Sequence, residues 1–438
     1  MNDVIKQIER FFVRHRDRFP YVHAVMFVVF AILILVPPFL PVPAEGAAIL
    51  DDISLMARFI VWGVWFPLVL LSVVFLGRFW CGVLCPQGAL AEHIGKKGLN
   101  RPLPKWLRWE GTPVISFIAV TALGQLTGVR DYPLPTLEIL GGTMLAAVLV
   151  GFLYASGRRP WCRYLCPIGP LLGIFARLGA PSFERNGAGA GRCACPTFIN
   201  TANKVSSSAC IECFRCVAPD GSMRLTIRRP GLEIEEIEKR EPGLFEAAFL
   251  FMATGLALGA FHWQANPAYI RYKQVLGSLL LYLGVGEFMG KGGPWWIMAA
   301  YPEAGEAFNR LDVVTITTFM LICMACVACS LFTLTALSAF ISGGKDGLMT
   351  RATRLGYLYA PVALISLVIG LGLPLFQSLA SLGAAKGAVR MTLVILFVAG
   401  SAWSGYLAIR LNKGRGVAAL PNFIGIGLVA TAWHSVLF

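Results

Sequence analysis

Residues 55–77 read LMARFIVWGVWFPLVLLSVVFLG, and residues 78–88 read RFWCGVLCPQG. The first stretch is an apolar run long enough to cross a bilayer, which takes about 20 largely apolar residues. The second sets two thiols, Cys81 and Cys85, just past its end. The order then recurs: residues 139–156 are apolar, and residues 159–169 read RPWCRYLCPIG, with Cys162 and Cys166. Arg, Trp, both Cys, Leu, Pro and Gly coincide. The first half of the chain therefore reads as a duplicated helical hairpin whose two copies bring a C-x-x-x-C-P element to one membrane depth.

Outward from these copies, apolar runs recur at 22–40, 113–128, 244–263, 313–341, 355–382, 388–410 and 417–438. A shorter one at 275–289 runs into Gly290, Gly292, Gly293 and Pro294 and reads either as a span or as a re-entrant hairpin. With 56% hydrophobic and 14% charged residues and a mean hydropathy of +0.67, a water-soluble globular protein is excluded. Lipid leaves the backbone few ways other than helices to satisfy its hydrogen bonds. The expected fold is an all-α polytopic membrane protein of nine or ten transmembrane helices with a small cytoplasmic ferredoxin-like insert. It divides into a basic amphipathic segment (1–20), the duplicated hairpins (21–181), the insert (182–243) and a C-terminal bundle (244–438).

The formal charge of +14 is spread in short clusters beside apolar runs, which argues for anionic lipid as the partner and against nucleic acid. Lys96, Lys97, Arg101, Lys105 and Arg108, then Arg158, Arg159 and Arg163, put the cysteine ends on the cytoplasmic side of a bacterial inner membrane. Val4, Ile5, Ile8, Phe11 and Phe12 alternate with Lys6, Arg10, Arg14, Arg16 and Arg18, as in a helix lying on the cytoplasmic surface. The run at 22–40 exceeds a signal-peptide core and reads as a retained helix.

Twelve cysteines without a cleavable-looking signal point to metal ligation more than to disulfides. Cysteines four apart share one face of a helical turn, and four soft thiolates suit a 4Fe-4S cluster or tetrahedral zinc. Buried packing alone does not explain one eleven-residue pattern written twice. In the insert, Cys193-Ala194-Cys195-Pro196 precedes Cys210-Ile211-Glu212-Cys213-Phe214-Arg215-Cys216. In two-cluster ferredoxins three ligands come from C-x-x-C-x-x-C and the fourth from the Cys-Pro of the other run. Here the earlier run lacks its triplet and the later run lacks its fourth cysteine, leaving Cys195, Cys210, Cys213 and Cys216 for one cluster. Cys193 is then a spare thiol or an alternative ligand, and zinc stays open as the other metal.

Cys323, Cys326 and Cys329 fall mid-membrane in 313–341, on one broad helical face because i+3 steps drift by about 60°. They read either as small residues easing helix packing, with Ala325 and Ala328, or as a third metal centre completed by another helix. The acidic run Glu233, Glu235, Glu236, Glu238 and Glu241 reads as a docking site for a basic partner or as a solvated helix. Five histidines offer no bis-histidine haem pair.

Paired C-x-x-x-C-P elements after membrane helices, followed by a ferredoxin-like segment, resemble the NapH/NosR/CcoG-type membrane-bound polyferredoxins over residues 78–219. The resemblance implies two 4Fe-4S clusters and an electron-transfer protein, a quinol-oxidising or metal-reducing partner of a respiratory enzyme or its maturation system. It implies the quinone pool or a redox protein as partner. A copper reductase or assembly factor is the alternative, and a transporter with structural clusters a third. Against the transporter, the repeat sets its cysteines at the surface and not at the midplane. Relative to the family pattern the ferredoxin segment is shortened, and the spans after 244 lie outside it.

Overall fold

The structure, a computed structural model, describes the chain except residues 1, 42, 44–46, 48, 186–193, 218–222, 241, 265, 291, 302–305, 382–384 and 438. Among the described residues, eight helices are long and apolar enough to cross a membrane: Asp3–Phe39, Ile53–Leu76, Pro133–Tyr154, Leu244–His262, Arg310–Ser342, Leu348–Phe376, Gly387–Leu411 and Gly416–His434. The run at 113–128 forms a ninth apolar helix, Thr112–Thr127, of 16 residues. The region expected at 275–289 is a helix at Pro267–Tyr282 and a 3-10 turn at Gly286–Met289. Arg271, Lys273 and Gln274 break its apolar character, and Lys273 pairs with Asp312. The protein is an all-α polytopic membrane protein, with nine apolar helices among the described residues, the lower of the two expected counts.

Helix Leu244–His262 is largely enclosed and lies against Arg310–Ser342. Gly255 and Gly259 make that approach close: a Cβ at 255 would stand 2.8 Å from the Cys323 carbonyl oxygen, and one at 259 would stand 2.8 Å from Met320 Cα. Small residues four apart let membrane helices meet backbone to backbone. Helix Arg310–Ser342 is started by a capping box, with Asn309 and Asp312 each accepting the other's backbone N–H, which satisfies donors a helix end otherwise leaves orphaned.

At the cysteine end the insert builds a two-stranded antiparallel ribbon, Pro181–Arg185 with Met223–Ile227, in the register Pro181↔Ile227 to Arg185↔Met223. Phe183, Phe214, Val217, Met223 and Leu225 form its small core. The amphipathic helix Asn2–His15 lays Ile5, Phe12 and Val13 on that core, with Phe12 stacked on Phe214 at 4.8 Å and Glu9 accepting the Leu225 N–H. Val4, Ile8 and Phe11 stay exposed. The helix expected to lie on lipid thus gives one apolar side to protein and leaves the other outward.

Glu233, fully buried, fastens the insert to the bundle. It pairs with Arg177 at 3.1 Å and Arg228 at 2.6 Å and accepts the Ser207 N–H at 3.1 Å. Arg177 also reaches Glu246 at 2.8 Å, in the first turn of helix Leu244–His262. Burial alone would push the Glu233 carboxyl up, yet Arg228 and Arg177 hold it below the ordinary carboxylate range. The rest of the acidic run is also met from within the chain: Glu235 by Arg229 and Arg410, Glu236 by Arg240, Glu238 by Arg354 and Lys413. The run is thus paired within the chain, with Glu236 and Glu238 still partly exposed; Glu241 lies outside the described residues.

Candidate iron-sulfur centres

The two C-x-x-x-C-P copies close in the same way. Trp80–Leu84 forms a π-helical turn and Pro160–Tyr164 an α-helical one, but in each the second cysteine donates its N–H to the tryptophan carbonyl five residues back. Both bonds, Cys85 to Trp80 and Cys166 to Trp161, measure 2.8 Å. The following proline has no N–H to give and opens helix Pro86–Gly95 in the first copy. Past it the chain turns its amides back: the Cys85 sulfur accepts from the Gly88 and Gln87 N–H groups, and the Cys166 sulfur from Gly169. The motif glycine is needed for space. A Cβ at Gly88 would stand 2.7 Å from Cys162 Sγ, so the first copy's glycine faces the second copy's first thiol.

The four thiols of the two copies interact with one another. Burial pushes Cys85 and Cys162 up, and Cys166 up to about 12, and the neighbouring thiols of the set add to each shift. Left to themselves they are neutral; holding them as thiolates requires a nearby cation. Two such charges come from the motif arginines, Arg78 (4% exposed) and Arg159 (1% exposed), which cross between copies. Arg159 donates to the Cys81 and Gly82 carbonyls at 2.7 and 3.5 Å. Arg78 hydrogen-bonds the Cys81 sulfur of its own copy, also faces Cys166 and Cys162 of the other, and donates to the Ser208 carbonyl at 2.7 Å.

In the insert, Cys195, Cys210, Cys213 and Cys216 line one small cavity with Pro196, Phe183 and Phe214. The loop that carries three of them is unusual: Glu212 and Phe214, neither of them glycine, stand at φ 53° and 58°, conformations that cost on the order of 1–3 kcal/mol each. Left-handed residues set between right-handed ones turn successive amides into a concave nest, a form common at Fe–S sites. Cys210 accepts the Glu212 N–H and Cys213 that of Arg215. Burial pushes Cys213 up to about 11 and Glu212 up to about 8. Cys193 lies outside the described residues.

This donor set fits a 4Fe-4S cluster better than zinc. Zinc needs its sulfurs about 2.3 Å from one point, whereas a cube takes each thiolate on its own iron and is ringed by its ligands. Among the described residues no three His, Cys, Asp or Glu side chains converge on a single ion's position, while four cysteines ring the insert's cavity. For the mid-membrane trio, packing has an observation behind it and a third centre has none. Cys323 is half-buried against Gly259, and Cys326 and Cys329 are exposed on the outside of the bundle.

The two sets of thiols are neighbours. A Cβ at Gly82 would stand 2.1 Å from the Ile211 carbonyl oxygen and 3.0 Å from Cys213 N, so the first copy's loop lies directly against the insert's. Glu92, 4% exposed, ties them from below, with Arg159 at 2.7 Å and Arg215 at 2.6 Å. Sequence reasoning did not single out Glu92 or Gly82; the signal for Glu92 is a lone acid in the helical run PQGALAEHIG, between basic loops. Gly82→Ala sets a methyl against backbone that cannot swing aside. It is expected to destabilise by about 3 kcal/mol, the upper part of the overpacking range, read as a lower thermal midpoint in detergent.

Eight cysteines set in two neighbouring groups at one end of a membrane bundle define the class, an iron-sulfur membrane protein. Residues 59–108 and 138–186 each match the family described as a 4Fe-4S binding domain, and each match contains one C-x-x-x-C-P copy. An uncharacterized protein of Methanocaldococcus jannaschii is 32% identical over 158 residues, covering 32% of this chain and 61% of that protein. The putative electron transport protein YccM of Escherichia coli is 26% identical over 237 residues, 46% of this chain and 66% of that protein. Protein NirI of Paracoccus denitrificans is 29% identical over 186 residues, 36% of this chain and 26% of that protein. The chain spans less than two thirds of the length of each of these three relatives. No solved structure matches it. These similarities support a membrane-associated 4Fe-4S protein of the polyferredoxin type.

Proposed function

We propose that the protein passes electrons through two 4Fe-4S clusters at the cytoplasmic face of the bacterial inner membrane. Cys81, Cys85, Cys162 and Cys166 hold one, and Cys195, Cys210, Cys213 and Cys216 hold the other. The observation that carries this reading is the cavity ringed by the insert's four cysteines, whose loop lies against Gly82 of the first copy. A 4Fe-4S cluster supplies a one-electron couple whose potential is tuned by hydrogen bonds to sulfur and by nearby charge. The chain's part is to give those bonds from Gly88, Gly169, Glu212 and Arg215 and to set Arg78 and Arg159 beside the thiolates.

A quinol is the donor that best suits the surroundings. A cavity of about 760 Å³ lies between helix Phe19–Leu35 and helix Pro86–Gly95, with Phe19, Phe27 and Leu90 as apolar wall and His23, Glu92 and Cys213 at its polar end. This is the mixture a ring with two hydroxyls takes: apolar faces and a few placed polar groups. Oxidation of a quinol would release two electrons, which two one-electron clusters held by the eight cysteines would take, and two protons; His23 and His93 are the histidines on the lining. The acceptor is a redox partner protein of a respiratory or maturation system.

Anaerobically purified protein is expected to be brown, with about eight iron atoms and as many acid-labile sulfides per chain, four for each cluster. A colourless, zinc-loaded, air-stable protein would overturn the reading.

A further inference from the structure

At the end of the bundle away from the cysteines, five chain segments enclose a cavity of about 520 Å³. Arg58 comes from the start of the second crossing helix, Gln125 and Arg130 from the end of Thr112–Thr127 and the loop after it. Gln264 follows helix Leu244–His262, with Phe261 beside it, and Ser378 comes from the end of Ala360–Ser381. The volume is that of a small-molecule site, and its lining sets two arginines, Arg58 and Arg130, against one carboxylate, Asp131.

Neither arginine is neutralised by an ion pair among the described residues. Arg130 lies over the Phe261 ring, 5.0 Å from its centroid, and Arg58 donates at 3.4 Å to a backbone carbonyl, that of Asp131. The exposed Asp131 carboxylate is the one acid on the lining; it attracts Arg130 while Arg58 repels it, and burial presses further against the charge. Trp263 Nε1 donates to Gln125 Oε1 at 2.8 Å, so the acceptor end of that amide is taken and its NH₂ end is the one left to donate. Two like charges held together in a partly enclosed space cost free energy unless an anion lies between them, and guanidinium forks match the oxygens of a phosphoryl or carboxyl group.

The geometry points to a binding site for a phosphate-type oxyanion between Arg58 and Arg130, at the membrane face opposite the clusters. The same chemistry is offered by an anionic lipid headgroup and by a free inorganic anion. The inference does not depend on the clusters or on the electron donor.

The full-length protein is reconstituted in nanodiscs of phosphatidylcholine, with or without phosphatidylglycerol. Retained lipid is read by native mass spectrometry and inorganic phosphate binding by calorimetry. Phosphatidylglycerol held in preference to phosphatidylcholine, and weakened about tenfold or more by Arg130→Gln and by Arg58→Gln, assigns the site to a lipid headgroup; a tenfold loss is the least expected for one charge-assisted bond. Phosphate bound in phosphatidylcholine discs, and weakened alike, assigns it to a free anion. Unchanged iron content certifies that the variants are folded, and Gln264→Leu, which keeps both charges, gives the same reading of the cavity if an arginine variant does not accumulate. No binding of either probe, or binding that these variants leave unchanged, overturns the site.

Discussion

Cys213→Ser is expected to remove about half of the iron, about four atoms per chain, and the spectroscopic signal of one centre, while the other remains reducible. The reason is local. Cys213 is the central cysteine of the loop whose backbone is already bent at Glu212 and Phe214, and it lines the insert's cavity with Cys195, Cys210 and Cys216. The C-x-x-x-C-P copies are closed by their own backbone bonds, Cys85 N–H to Trp80 and Cys166 N–H to Trp161, and do not depend on it. Electron transfer through the protein should fall much further than the iron does, because Cys213 stands where the two loops touch and also lines the cavity beside helix Pro86–Gly95. Iron analysis with electron paramagnetic resonance of the reduced protein checks the first expectation, and quinol-dependent reduction of the remaining centre checks the second. Loss of both centres together would show that the sets are not separate.

Glu233→Ala should cost about 3–5 kcal/mol, the range for removing one partner of a buried ion pair. The loss is large because Arg228 loses its buried carboxylate, Arg177 keeps only Glu246 of its two carboxylates, and the Ser207 N–H loses its acceptor. Glu233→Gln keeps the shape and part of the hydrogen bonding and should fall between. The pH dependence has a definite sign. Arg228 and Arg177, against burial, hold the carboxyl below its unfolded value, so its contribution is complete above the ordinary carboxylate range and is lost as pH falls through the depressed value. Thermal midpoints in detergent at neutral and acid pH would show the wild-type and Glu233→Gln curves converging on acidification. Parallel curves would mean that another group carries the acid sensitivity.

The bundle was legible because lipid reduces the choice of backbone to helix, and length and polarity then mark the spans. Region 275–289 stayed ambiguous because a short apolar run next to glycines reads as a span or as a hairpin; in the fold it is the end of helix Pro267–Tyr282 and a 3-10 turn, and Lys273 finds Asp312. The cysteine sets were legible because a repeated motif carries its chemistry in residue types. Their counter-ions were not. Arg78 and Arg159 stand in the repeat, but their crossing between copies depends on how the hairpins meet. Glu92 and Glu233 look like ordinary charges until a tertiary partner is seen at 2.6–2.7 Å. The same holds for the acidic run, which invites a partner in sequence and in the fold is met by the chain's own arginines and Lys413.

The N-terminal helix carries a consequence for the order of biogenesis. Phe214, on which Phe12 stacks at 4.8 Å, is made some 200 positions after it. At about 5–20 residues per second, that separation is an interval of about 10–40 seconds. Throughout it the helix has no seat, and when the loop of Cys210 to Cys216 emerges its covering helix must return from the far end of the nascent chain. The side of the insert facing Phe12 is thus covered only after its thiols have been made, and a helix made well before the insert is among the last parts to settle against it.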